Sequence, residues 1–290
     1  MSGTTKAEPV RRTSEIEEPS NLYIIHPLST WIVPYCARAG ITPNQVSVAG
    51  MVCGITAGFA YHWYRHPAAC LLGFALMFAW HVLDGADGQL ARLTNSFSEV
   101  GKIIDGICDY VTFTAIYVGL ALSLSAVHGG WVWAVVALSG LCHAAQSAAY
   151  ELQRQNYNFW GWGRKSGALA DLSAPQSTGI AGWLHGLYTR AQLALGGGGG
   201  LDFYARLAEC LARHPEDDAA IRASYRATFA KPVRRWSLLS SNTRTIGIFL
   251  FAVAGIPLGY FCAEILLLTA LLAWLLADQR QRCVVFAATL

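Results

Sequence analysis

Long apolar runs separated by short polar segments dominate the pattern of the chain. Apolar residues fill 43–63, then a run that starts at Pro67 and continues into residues 84–92, and then 102–127 and 131–150. Each run is long enough, as a helix rising about 1.5 Å per residue, to cross a hydrocarbon core of about 30 Å. Because the runs are continuous and do not alternate with period two, the pattern predicts transmembrane helices.

The boundaries of these helices carry local start and stop signals. Thr42, Pro43 and Gln45 form a capping box with proline at the first helical position, which starts span one. Residues 246–277 are 32 almost uninterrupted apolar residues, and Pro257 and Gly259 predict a break inside them. Two short crossings there bring the total to six transmembrane helices.

The same pattern divides the chain into five parts. Residues 1–21 are predicted to be a disordered cytoplasmic tail, and residues 22–41 an interfacial amphipathic segment broken by Pro27 and Pro34. Residues 42–151 form the transmembrane catalytic core with spans one to four, residues 152–240 a cytoplasmic insertion, and residues 241–290 spans five and six with a short tail.

Composition places the protein in the membrane. Of its 290 residues, 54% are hydrophobic and 13% are charged, and the mean hydropathy is +0.35. A soluble domain carries about 25% charged residues, so the sequence predicts an all-α integral membrane protein. The net charge of +3 and the lack of a basic stripe interleaved with aromatics indicate no nucleic-acid partner.

Basic residues set the expected orientation. Arg11, Arg12 and Arg38 precede the first span, and residues 152–240 hold eleven Lys or Arg against six Asp or Glu. The positive-inside rule therefore predicts that both termini, the active site and the insertion lie on the cytoplasmic side, which in a bacterial cell is that of the inner membrane. We expect the insertion to rest on the membrane face near the active-site mouth, with a flexible joint at residues 196–200 and an amphipathic helix at about 202–213.

Four aspartates at the predicted cytoplasmic ends of spans two and three stand apart from this apolar background. Asp84 and Asp87 share one face of a helix, and Asp105 and Asp109 share one face of the next. A short turn between the two helices would bring these faces to one site. Four carboxylates held together repel one another, and Mg²⁺ or Mn²⁺, which prefer oxygen ligands, would compensate them.

The residues around the aspartates suit a diphosphate ligand. Arg92 supplies a cation, and Gly88, Ala91 and Gly101 leave room for a ligand to approach the backbone. A metal pair held by carboxylates beside such a surface is typical of phosphoryl transfer. A carboxylate that remains able to accept a proton could activate an alcohol.

These residues resemble the CDP-alcohol phosphatidyltransferase family. The stretch from Asp84 to Asp109 matches the family signature D-x2-D-G-x2-A-R-x8-G-x3-D-x3-D at all eight fixed positions, and residues 42–47, TPNQVS, also look like the family pattern. The resemblance implies that a CDP-linked alcohol passes its phosphoalcohol group to a second alcohol with release of CMP. It also implies a homodimer of six-helix subunits with two divalent metals, and substrates drawn from a CDP-alcohol donor, an alcohol or lipid acceptor and membrane lipids.

The resemblance also implies roles for individual residues. Asp84, Asp87, Asp105 and Asp109 would be metal ligands, and Asp109 would also be the base that deprotonates the acceptor. The CDP-alcohol would be held by the small and polar residues of the motif and its surroundings: Gly88, Ala91, Arg92, Gly101, Ser98, Asn44 and Ser47.

Other polar residues in the spans have less specific expectations. His143, Gln146 and Arg244 are candidates for acceptor binding, although hydrogen bonding between helices is the more ordinary role for the first two. His81, one turn before Asp84, is expected to make such a bond.

The sequence leaves several functions open. CDP-diacylglycerol is the expected donor, and a CDP-linked head group of choline, ethanolamine or inositol type transferred to a lipid acceptor is the alternative within the same chemistry. A cation transporter that uses the aspartate cluster is an alternative of another class. A catalytically inactive scaffold would be expected to lack part of the motif, which is intact.

Overall fold

The fold of the chain is all-helical. The computed structural model describes residues 13–96, 98–164 and 198–290, and no strand occurs among them. Ten α-helices form in this part of the chain: α1 His26–Arg38, α2 Pro43–His62, α3 Pro67–Leu93, α4 Glu99–His128, α5 Val132–Asn156, α6 Gly198–Arg213, α7 Asp218–Arg235, α8 Ser241–Val253, α9 Pro257–Ala263 and α10 Thr269–Ala287. The predicted all-α class is confirmed.

Short helical turns of other types connect some of these helices. Asn21–Ile25, Tyr157–Gly161 and Glu264–Leu268 are π-helical turns, and Pro215–Asp217 and Trp236–Leu239 are 3₁₀ turns. The capping box predicted at Thr42 is confirmed, because the Thr42 side chain accepts from the Gln45 N–H and the Gln45 side chain accepts from the Thr42 N–H. The predicted break is also present, with Gly255 at a φ of +76° between α8 and α9.

Four helical stretches among the described residues are long and apolar enough to cross a bilayer. They are Pro67–Leu93, Ile104–His128, Val132–Gly161 and Pro257–Ala287. Helix α2 forms over the expected first span, but its polar first turn and its glycines lower its hydropathy. Helix α8 has 13 residues, which reach only about 20 Å at 1.5 Å per residue. The structure thus supports a membrane protein and leaves the count of six spans a prediction.

The amino-terminal part is more regular than its sequence pattern indicates. Pro27 and Pro34 do not break α1, which runs through both. The π-helical turn at Asn21–Ile25 directly precedes α1, and Pro27 lies in the first turn of α1, where the missing N–H has no partner within the helix to lose. The predicted disordered tail is also wrong for residues 13–21, where Ile16 is 3% exposed and Glu17 accepts a hydrogen bond from Asn21. Residues 1–12 lie outside the described residues.

The chain divides into two compact units, and the first comprises Met1–Val136 and Thr245–Tyr260. Close approach of helices α2 and α4 organises it. A Cβ added at Gly54 would lie 2.3 Å from Thr112 Oγ1, and one added at Gly58 would lie 2.5 Å from the Ala115 carbonyl oxygen. Glycines four residues apart let two apolar helices pack backbone to backbone. This packing holds the parts of α3 and α4 that carry the aspartates.

The second unit comprises Ala137–Arg244 and Phe261–Leu290 and contains the described part of the insertion. Trp236 and Leu239 pack with Tyr150 of α5 and Leu275 of α10 in one buried cluster. A second group of aromatic rings joins helices α6, α7 and α10: Phe203, Tyr225, Phe229 and Phe286. The described insertion is therefore part of a hydrophobic core.

The described part of residues 152–240 confirms one expectation, the amphipathic helix, and contradicts another, the flexible joint. Residues 152–162 continue the helical course of α5, and Arg222 of α7 donates to the carbonyl oxygens of Phe159 and Trp160 near its end. The amphipathic helix predicted at 202–213 is confirmed as α6. The flexible joint is wrong at Gly198–Gly200, which form the first turn of α6, and residues 196 and 197 lie outside the described residues.

Candidate active site

The four aspartates lie where helices α3 and α4 come together within the first unit. Asp84 and Asp87 belong to α3, and Asp105 and Asp109 to α4. Carboxylate oxygens of Asp84, Asp105 and Asp109 all lie within 4.8 Å of one another. The two carboxylate faces expected from the spacing do meet, and three of their four members form a single cluster.

Asp87 completes the site from a more enclosed position. It is 5% exposed and accepts a short hydrogen bond from the Ser47 hydroxyl at the start of α2. All four aspartates line one narrow cleft, together with Ser47, Gly50, Trp80 and Cys108. Ser47, which the sequence predicted to bind the CDP-alcohol, thus contacts one of the carboxylates of the site.

The chemistry of this donor set fits a divalent metal ion. Two like charges about 4 Å apart repel by about 4 kcal/mol at an effective dielectric constant of about 20. Three carboxylates held this close are stabilised by a cation, and sets made only of oxygen donors select hard ions such as Mg²⁺ or Mn²⁺. Asp84, Asp105 and Asp109 are therefore the residues that could hold it, with Asp87 beside them.

A second group of predicted ligand-binding residues meets at the start of α4. The Ser98 hydroxyl accepts a hydrogen bond from the Gly101 N–H at 2.9 Å and caps the helix. A Cβ added at Gly101 would lie 3.0 Å from Ser98 Oγ and 3.2 Å from Asn44 Oδ1. The structure therefore brings Asn44, Ser98 and Gly101 into contact, at a helix N-terminus whose dipole favours a phosphate group.

Gly88 and Arg92 lie one turn apart on α3. A Cβ added at Gly88 would lie 3.7 Å from both terminal nitrogens of Arg92, so the guanidinium lies along the bare backbone at Gly88. Ala91 lies on the same side of the helix as Asp84. These three residues therefore line the face of α3 that carries the carboxylates.

Two predicted polar residues make contacts between helices. His81 is 8% exposed, and its Nε2 lies 2.9 Å from Thr245 Oγ1 of α8, which confirms the expected inter-helix hydrogen bond. Gln146 of the second unit donates to the Glu264 carbonyl oxygen at 3.2 Å and to Thr269 Oγ1 at 3.1 Å.

The three candidate acceptor residues, His143, Gln146 and Arg244, all lie against Glu264, which the sequence pattern did not single out. Arg244 Nε donates to Glu264 Oε1 at 2.9 Å, and Arg244 Nη2 donates to Gln146 Oε1 at 2.7 Å. Arg244 also donates to the Leu239 carbonyl oxygen, and Ser139 donates to Glu264 Oε2. His143 Nδ1 lies 3.9 Å from Glu264 Oε1.

This network favours a structural role for its members over direct acceptor binding. Arg244, Gln146 and Glu264 are each 0% exposed, so an acceptor would have to displace existing partners. A signal for Glu264 was present in the sequence, because it is the one charged residue in the apolar stretch 246–277. An ionisable residue in such a segment generally has a partner, and Arg244 is that partner.

Fold and site together define an all-helical membrane protein with a polycarboxylate centre between two adjacent helices. Comparison of the sequence with known protein families defines the class more narrowly. Residues 40–189, slightly more than half of the chain, match the family described as CDP-alcohol phosphatidyltransferase, and the chain belongs to that family.

Curated relatives are similar to part of the chain. An archaetidylinositol phosphate synthase of Pyrococcus horikoshii is 31% identical over 86 residues, covering 30% of this chain and 44% of the relative. A CDP-diacylglycerol–serine O-phosphatidyltransferase of Mycobacterium tuberculosis is 34% identical over 112 residues, covering 38% and 37%. Cholinephosphotransferase 1 of Danio rerio is 27% identical over 119 residues, covering 38% and 29%. The chain thus spans less than half of the length of each of these relatives.

Proposed function

We propose that the protein transfers a phosphoalcohol group from a CDP-alcohol to a hydroxyl acceptor and releases CMP. The observation that carries the proposal is the carboxylate cluster of Asp84, Asp105 and Asp109, which occupies the family signature and lies within the family match. In this reaction the acceptor oxygen forms a bond to the phosphorus next to the alcohol. The bond from that phosphorus to the oxygen bridging to CMP breaks, and CMP leaves with the electron pair.

Two divalent ions, Mg²⁺ or Mn²⁺, would be held by Asp84, Asp87, Asp105 and Asp109 and would supply charge neutralisation for the diphosphate. Ser47 holds the Asp87 carboxylate in one orientation through its hydrogen bond. Arg92 provides positive charge for the CDP group, and the start of α4 at Ser98 and Gly101 provides the positive end of a helix dipole.

Asp109 is proposed to accept the proton of the acceptor hydroxyl. It lies one helical turn from Asp105 on α4 and shares the cluster with Asp84. A carboxylate within this group can receive the proton as the new phosphorus–oxygen bond forms. The proposal separates a base, needed when the acceptor attacks, from ligands that are needed for the nucleotide to bind.

CDP-diacylglycerol is the proposed donor. Relatives named as a CDP-diacylglycerol–serine O-phosphatidyltransferase and as an archaetidylinositol phosphate synthase support it. The similarity to a cholinephosphotransferase supports the second candidate, a CDP-linked head group transferred to a lipid acceptor. The family match lends no support to a cation transporter.

The membrane arrangement is part of the proposal. We place the active site and both termini on the cytoplasmic side of a six-span homodimer, as the distribution of basic residues favours. Helix α1 would lie in the interface, since Tyr23, Trp31 and Tyr35 on it and on the preceding turn are 73%, 65% and 56% exposed.

A donor screen tests this function. The purified protein in lipid nanodiscs is given labelled CDP-diacylglycerol, CDP-choline or CDP-ethanolamine with a panel of small alcohols or with diacylglycerol. Mass spectrometry follows CMP and the lipid product, and an Asp84→Asn/Asp105→Asn variant serves as the inactive control. CMP release with one donor class assigns the substrate, and the absence of CMP release with every donor and acceptor would refute the proposal.

A further inference from the structure

Helix α1 packs closely against the aspartate-bearing part of α3. Ser29 of α1 is 0% exposed, and its hydroxyl donates to the Val82 carbonyl oxygen at 2.7 Å. A Cβ added at Gly85 would lie only 2.6 Å from Ser29 Oγ, so a larger residue at position 85 would displace the Ser29 hydroxyl from this contact. The contact joins residues that are 53 positions apart in the chain.

A second hydrogen bond lies further along the same two helices. Thr30 Oγ1 lies 2.8 Å from Gln89 Oε1 and 2.7 Å from the His26 carbonyl oxygen, and its one hydrogen is shared between these two acceptors. Gln89 Nε2 donates to the same His26 carbonyl oxygen at 3.4 Å. Gln89 is 7% exposed, so its amide is held in a largely dehydrated contact. The Ser29 bond meets α3 just before Asp84, and the Thr30 bond meets it just after Asp87.

Helix geometry places these contacts behind the carboxylates. At about 100° per residue, Val82 lies about 200° from Asp84, and Gln89 lies about 200° from Asp87. Ala86 lies within about 60° of these contacts and Leu90 lies between Ala86 and Asp87, and both pack in one cluster with Val33 and Cys36 of α1. One side of α3 is therefore fixed by α1 while the opposite side carries the metal-binding groups.

We infer that α1 positions the carboxylates of α3, and that Ser29, Thr30 and Gln89 are positioning residues for the divalent-metal site. Bonds on both sides of the Asp84–Asp87 turn restrict its rotation and translation relative to α2 and α4. Carboxylates from two helices must keep their spacing to bind one ion. Residues that contact metal ligands from behind commonly change the affinity of the site for the metal. This inference rests on the proposed function for the identity of the metal site.

Metal binding measured without turnover tests the inference. In the purified full-length protein in nanodiscs, Mn²⁺ binding is followed by electron paramagnetic resonance for the wild type and for Thr30→Val, Gln89→Leu, Thr30→Val/Gln89→Leu and Gly85→Ala. The single variants are expected to weaken Mn²⁺ binding by about tenfold. The double variant should bind Mn²⁺ no more weakly than Gln89→Leu alone, because Gln89→Leu already removes the Thr30 contact together with the bond to the His26 carbonyl oxygen.

Matched controls separate positioning from general damage. Thr56→Val removes a hydroxyl that bonds only within its own helix, to the Val52 carbonyl oxygen at 2.7 Å. Gly106→Ala adds a methyl group where no atom lies within 4 Å. Both should keep wild-type Mn²⁺ affinity, and Thr30→Ser, which keeps the hydroxyl, should restore it.

The outcomes distinguish this inference from the proposed function. Wild-type Mn²⁺ affinity in Thr30→Val, Gln89→Leu and Gly85→Ala would overturn the positioning role, whatever the enzyme does with CDP-alcohols. Lower melting temperatures with unchanged Mn²⁺ affinity would also overturn it, by showing a merely structural contact. Weakened Mn²⁺ binding in a protein that releases no CMP from any donor would support the positioning role while refuting the proposed reaction.

Discussion

Arg244 and Glu264 form a fully buried ion pair in the second unit, with Arg244 Nε 2.9 Å from Glu264 Oε1 and both side chains 0% exposed. The pair joins the start of α8 to the π-helical turn between α9 and α10. Such turns often occur where a side chain has a special task. Here the turn places a carboxylate among Arg244, Ser139 and His143.

Removing one member of this pair should destabilise the protein strongly. Glu264→Ala leaves the Arg244 guanidinium buried without its carboxylate, which costs about 3–5 kcal/mol in the free energy of unfolding. Replacing both members, as in Arg244→Met/Glu264→Leu, should recover much of that loss because no charge remains buried. Denaturant-induced unfolding in mixed micelles measures both variants.

The exposed pair between Arg213 and Glu209 of α6 is the matched control. Its side chains are 69% and 57% exposed, so Glu209→Ala should change the free energy of unfolding by no more than about 1 kcal/mol. Equal losses in Glu209→Ala and Glu264→Ala would contradict the importance assigned to burial.

Local signals in the sequence predicted local structure well. The capping box at Thr42 depends on residues three positions apart, and the meeting of Asp84 with Asp105 follows from helical periodicity and a short connection. Partners distant in sequence were not predictable in this way. Ser29 meets Val82 and Arg244 meets Glu264 because of how helices pack, and no short-range pattern encodes that choice.

Proline rules also failed where tertiary structure compensated for them. Pro27 and Pro34 each remove a backbone donor, which predicted a broken segment. Pro27 lies in the first turn of α1, where proline is tolerated, and α1 continues through Pro34 while Val33 and Cys36 pack against α3. Propensity is a weak constraint when one face of a helix is buried.

Metal removal should abolish activity. Because Asp84, Asp105 and Asp109 place their oxygens within 4.8 Å of one another, the nucleotide site lacks charge compensation without a cation. CMP release should fall to background in EDTA and return with Mg²⁺ or Mn²⁺, while EDTA already saturated with Mg²⁺ should have no effect. Full turnover in metal-free buffer would exclude the proposed metal centre.

Asp109 should differ from the other aspartates in kinetics. Asp109→Asn is expected to lower kcat by about 10²–10⁴ while CDP-alcohol affinity stays within a small factor of wild type. Asp84→Asn, Asp87→Asn and Asp105→Asn should weaken metal and nucleotide binding together. Equilibrium binding of a CDP-alcohol and single-turnover rates separate the two effects, and equal loss of affinity in all four variants would make Asp109 a ligand only.

The last prediction concerns the insertion at residues 152–240, which the sequence suggested as a cover for the active-site entrance. Its described part belongs to a core, with Trp236 and Tyr225 each 1% exposed and Trp236 packed against Tyr150 and Leu275. Trp236→Ala should therefore lower the free energy of unfolding by about 3–5 kcal/mol. Leu238, in the same 3₁₀ turn but 50% exposed, is the control, and Leu238→Ala should change stability by about 0.5 kcal/mol or less. If unfolding curves of Trp236→Ala and wild type coincide while acceptor KM alone changes, the insertion is a cover after all and the core assignment fails.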